Sequence, residues 1–75
     1  MPPFEPFYRG TIVRVQYGRG SGIVRTGSGR ELRFVVPFVE FLDGLRIHDL
    51  TEGMEIGFDV GWTSHGLRVT KIKIY

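Results

Sequence analysis

The chain has 75 residues, 41% of them hydrophobic and 24% charged, with a net charge of +2 and no cysteine. That length holds one domain with a thin stability margin, because so short a chain buries only about 60% of the surface it exposes when unfolded. Disulfides and thiolate metal sites are excluded by composition, and no apolar run approaches the roughly 18 residues of a membrane span.

Met1 to Pro6 lacks the basic and apolar regions of a signal peptide, and the absence of cysteine fits a reducing compartment. A cytoplasmic location is therefore expected. The charge is unevenly spread. Residues 1–33 carry Arg9, Arg14, Arg19, Arg25, Arg30 and Arg33 against Glu5 and Glu31, a local net charge of +4. Residues 34–70 carry Arg46 and Arg68 against Glu40, Asp43, Asp49, Glu52, Glu55 and Asp59, a net charge of −4, and Lys71 and Lys73 follow. A basic half can draw a polyanion to one side of a domain, although a mixed solvated surface has the same composition.

In chain order, the prolines of residues 1–7 predict an extended arm whose Phe4 and Phe7 would cover one end of the fold. Tyr8 to Tyr17 is rich in β-branched and aromatic residues and reads as a strand. The glycines of Gly18-Arg19-Gly20-Ser21-Gly22 disfavour a helix and suit a tight, bulged link, through positive φ or close strand approach. Ile23 to Thr26 is a second strand, Gly27-Ser28-Gly29 a hairpin turn, and Glu31 to Val36 a third strand, ended by Pro37. Residues 37–49 are less regular. Phe38, Val39, Phe41 and Leu42 approach helical spacing, so one helical turn is expected before Gly44. From Met54 to Val60, apolar Met54, Ile56, Phe58 and Val60 alternate with Glu55, Gly57 and Asp59, a half-buried strand of period two. After a turn at Ser64-His65-Gly66, residues Leu67 to Ile74 form the last strand. Five short strands at this spacing predict a small all-β sandwich or barrel.

The spacing narrows the choice. Gly10-Thr11-Ile12-Val13-Arg14-Val15-Gln16 and then Arg19-Gly20-Ser21-Gly22-Ile23-Val24 match, in order and separation, the Gly-x-Val-Lys-Trp-Phe-Asn and Lys-Gly-Phe-Gly-Phe-Ile motifs of cold-shock domains. Leu50, Gly53, Ile56 and Phe58 match that family's Leu-x-x-Gly-x-x-Val-x-Phe, and Gly66 and Ile72 match its later Gly and Val. The chain thus resembles a divergent cold-shock domain over about residues 10–74. The resemblance implies a five-stranded antiparallel barrel of the OB type over residues 10–75, preceded by an arm at residues 1–9. It also implies binding of RNA or single-stranded DNA on the outer face of the first three strands.

The departures bear on that function. The family stacks bases on aromatic side chains, each worth about 1–3 kcal/mol. Its strand-one Trp and Phe align here with Arg14 and Val15, and the two Phe of its Gly-rich motif with Ser21 and Ile23. Its Val-Phe-Val-His aligns with Leu32-Arg33-Phe34-Val35, which makes Phe34 a core residue. Arginine stacks on bases and binds phosphate. The resemblance therefore points to Arg14, Arg19, Arg25 and Arg33, with Tyr17, as the nucleic-acid contacts, in a charge-dominated mode with steep salt dependence. A solvated outer face would also carry arginines, and Tyr17 would pack equally well on the barrel rim.

The alternative is a barrel that has lost nucleic-acid binding and serves as a protein-interaction or assembly module. Its surface would be Phe38, Phe41 and Leu42 in the 37–49 loop, meeting a protein partner or a second copy; the same loop would otherwise cap the barrel. Trp62, near a turn, reads as a rim residue. Other chemistry finds little support. The Gly-rich link lacks the Gly-Lys-Ser/Thr and following helix of a phosphate loop. His48 and His65 lack a converging ligand set, so no metal or cofactor is expected. Ser21, Ser28 and Ser64 sit in turn contexts rather than beside a base, and no enzyme activity is expected.

Overall fold

A computed structural model describes residues 8–74. The expected cover by Phe4 and Phe7 lies outside the described residues. Six strands form one sheet: β1 (Tyr8–Gln16), β2 (Ser21–Thr26), β3 (Glu31–Val35), β4 (Glu40–Phe41), β5 (Glu55–Thr63) and β6 (Gly66–Ile74). The spatial order is β3-β2-β1-β5-β6-β4; every pairing is antiparallel except that of β4 with β6.

The chain is all-β, as its periodicity predicts, with one strand more than expected. The extra strand is β4, two residues long, within the segment whose spacing approaches a helix. Its alignment is set by Glu40 opposite Lys71 and Phe41 opposite Ile72, and Leu42 N–H donates to the Ile72 carbonyl at 2.9 Å. The helical turn comes later, as a 3₁₀ turn at Ile47–Asp49, where the Asp49 carboxylate accepts from Arg46 N–H at 2.9 Å. Among the described residues no helix is long and apolar enough to cross a membrane.

Two bulges explain phase breaks in the sequence. On β1, Ile12 faces Val24 while Arg14 faces Ile23, so Val13 is the extra residue. The inward set accordingly steps from Ile12 to Val15 instead of following strict alternation. On β6, Val69 faces Val60 and Lys71 faces Asp59, leaving Thr70 as the extra residue, so Val69 and Ile72 share the inner side. Bulges increase local twist and bend a strand. The sequence reading puts the bulge in the Gly-rich link instead; that link is a turn over residues 17–20, where Gly20 has φ 68°.

The core is one cluster. Ile12, Val24, Leu32 and Phe34 come from β1–β3, Ile56, Phe58, Val69 and Ile72 from β5 and β6, and Val39, Leu45 and Leu50 from the segments between. Leu45 and Leu50 are buried members of the cluster, and Phe41 packs against it with its ring edge on Phe34, centroids 6.3 Å apart. Gly22 is needed for this packing. It lies opposite both Val15 and Phe34, and a Cβ there would collide with the Phe34 ring and the Arg14 carbonyl.

The two edge strands, β3 and β4, are consecutive in the chain, joined by residues 36–39. A sheet whose first and last strands are so tethered must curl until its edges approach. The expected closed barrel is not reached by the ladders: among the described residues none joins β3 to β6, and the sheet stays open along that seam.

Candidate nucleic-acid interface

The register across β1, β2 and β3 determines which side chains share the outer face. Arg14, Ile23 and Arg33 are direct cross-strand neighbours, with both arginines exposed and Ile23 half-buried between them. Strands lie about 4.8 Å apart, so the two arginine stems are rooted about 10 Å from each other. Leu32 and Phe34 point inward on either side of Arg33, which is the register the sequence alignment implies.

The flanking rows are less basic. On one side Gln16, Ser21 and Val35 line up, and the Ser21 hydroxyl donates to Gln16 Oε1 at 3.2 Å. On the other, Thr11, Arg25 and Glu31 line up, and Arg25 Nη2 meets Glu31 Oε2 at 2.7 Å. The charge of Arg25 is thus already countered. Arg14, Arg19 and Arg33 have no carboxylate partner among the described residues. Arg19 is exposed on the turn after β1, held by hydrogen bonds from Arg19 N–H and Gly20 N–H to the Gln16 carbonyl. The Val36 N–H donates to the Gly20 carbonyl at 2.7 Å, tying this turn to the end of β3.

Tyr17 serves the rim. Its hydroxyl donates to the Leu50 carbonyl and its ring lies over His48, centroids 6.3 Å apart and 24° between planes. The ring is still 45% exposed. The loop residues separate from one another: Phe38 is 76% exposed, whereas Phe41 and Leu42 are half-buried, Phe41 against the core.

Curling brings a further set of residues to this face. Across the open seam, Arg33, Val35 and Phe38 face Thr63, His65 and Arg68 of the β5–β6 hairpin around a groove of about 380 Å³. No carboxylate lines it among the described residues. Arg68 Nη1 donates to the neighbouring Leu67 carbonyl at 3.1 Å. Trp62, beside Thr63 in the hairpin, is 81% exposed. Neither Arg68 nor His65 stands out as a site residue in the sequence. The only available signal is a cation and a histidine close to an aromatic in one turn, and their approach to Arg33 depends on the fold. Among the described residues no group of His, Asp and Glu side chains could hold a metal ion. The sequence matches no known family model, and no curated protein aligns with it.

Proposed function

We propose that this chain is a divergent cold-shock-like OB module that binds RNA or single-stranded DNA on the outer face of β1–β3. The observation that carries this reading is the row Arg14–Ile23–Arg33, two exposed cations flanking an apolar seat, without a carboxylate partner among the described residues. The OB reading is supported by the position of β1 between β2 and β5 and by edge strands that are consecutive in the chain.

The row sets the mode of binding. Guanidinium groups hold phosphate oxygens in bidentate fashion. Ile23 offers a base van der Waals contact but no π face, so the row contributes little base preference. Charge carries most of the affinity, and affinity falls steeply with salt. The interaction-module alternative loses much of its proposed surface, since Phe41 is packed on the core and Phe38 stands exposed without it.

The test is fluorescence anisotropy of labelled oligothymidine and oligouridine titrated with the full chain at low and physiological salt. Saturable binding that weakens steeply with salt is expected. Absence of binding at low salt overturns the reading and favours the interaction module.

A further inference from the structure

The groove across the β3–β6 seam lies beyond the strand face, and its chemistry is different. One wall carries Arg33 and the exposed ring of Phe38, and the other carries Arg68, His65 and the Thr63 side chain. Much of the lining is apolar, from Val35, Val69 and the Phe38 ring, with two arginines, a histidine and hydroxyl groups added and without a carboxylate among the described residues. A volume of about 380 Å³ is at the small end of the range of ligand pockets, about 300–1,000 Å³. That suits one small anionic, planar group.

We propose that this groove seats one nucleotide unit of the bound strand, its phosphate held between Arg33 and Arg68 and its base laid on Phe38; the inference rests on the nucleic-acid reading above. Arg33 belongs both to the outer row and to the groove wall, so a strand crossing Arg14 and Ile23 is led to this groove without a break in positive charge. The hydrogen bond from Arg68 to the Leu67 carbonyl orients its guanidinium and leaves most of its N–H donors for phosphate. Phe38 supplies the π face that Ile23 lacks. Stacking is thereby moved from the middle of the sheet, where Arg14 and Arg33 stand, to its open edge.

The experiment measures the affinity of the full chain for labelled oligothymidine by anisotropy, with Trp62 fluorescence as a second readout beside the groove. Phe38→Ala and Arg68→Gln are compared with Arg14→Gln, which lies outside the groove. Phe38 is exposed, so its truncation leaves the core intact; the thermal midpoint of each variant verifies folding. The expected result is a roughly 5- to 160-fold loss for Phe38→Ala with little change in salt dependence, the signature of a lost stack. Arg68→Gln is expected to flatten the salt dependence by one phosphate, about 0.7 in the slope of log affinity against log salt. If Arg14→Gln weakens binding while both groove variants bind like the parent chain, the groove assignment is overturned and the strand-face function stands. If the parent chain does not bind oligothymidine at low salt, both fall together.

Discussion

Replacing Arg14 and Arg33 together by glutamine removes the two cations flanking Ile23 while keeping polar side chains of similar reach. On the proposed path, Arg14, Arg19, Arg33 and Arg68 have no carboxylate partner among the described residues, whereas Arg25 is held by Glu31. Each phosphate neutralised on a single strand contributes about −0.7 to the slope of log affinity against log salt. Four such contacts predict a slope near about −2.8, and the two left in the double variant a slope near about −1.4. Between about 50 and 200 mM salt the parent chain should lose roughly 50-fold in affinity and the variant roughly 7-fold. The assay is oligothymidine anisotropy across that salt range. Both residues are exposed, so stability should move by no more than about 0.5 kcal/mol, checked by thermal melting. An unchanged slope in a folded double variant would refute the row as a phosphate track. A slope near zero in the parent chain would refute the charge-dominated mode altogether.

Glu31→Gln should release Arg25 from its 2.7 Å contact and steepen the same slope by about 0.7. The exposed pair itself is worth only about 0–1 kcal/mol, so melting should barely move; an unsteepened slope would place Arg25 off the path. Phe34→Ala empties the centre of the core and should cost about 3–5 kcal/mol in urea unfolding, a loss comparable with the whole stability of a small domain. A loss below about 1 kcal/mol would contradict that packing. Gly22→Ala should cost about 1–3 kcal/mol or more, since one colliding atom is backbone. Gly27→Ala, in open space, is the neutral control, and equal melting of the two variants would refute the close approach at Gly22.

Much of the architecture is legible residue by residue. Alternation in Met54–Val60 identifies two thirds of β5, because a strand with one buried face must place its apolar side chains two apart. Gly27-Ser28-Gly29 marks the β2–β3 hairpin, and the alignment that makes Phe34 a core residue puts Arg33 outward. The end of β5 is less legible. Gly61, Trp62 and Thr63 extend past the core, where no apolar alternation is needed, and only pairing with Leu67, Arg68 and Gly66 makes them a strand. Strand β4 is hidden for a related reason. Two residues carry no period, and Glu40–Phe41 is ordered by the backbone of β6, 31 residues away in the chain.

The candidate site divides in the same way. Arg14, Arg19, Arg25 and Arg33 are picked out through the resemblance to cold-shock domains, not through local pattern. The pairing of Arg25 with Glu31 depends on hairpin register, and the burial of Phe41 depends on where Phe34 points.

What the sequence alone determined is the β class, the hairpin turns, the apolar alternation of Met54–Val60 and the basic character of the first half. All of these follow from short-range periodicity and composition. The tertiary structure decided which cations are paired with a carboxylate, which loop aromatics remain exposed, and that Arg33 and Arg68 line one groove across an open seam. Those outcomes depend on the curl of the sheet, set by two bulges and by the tether between its edge strands, and curl brings together side chains that no local pattern links.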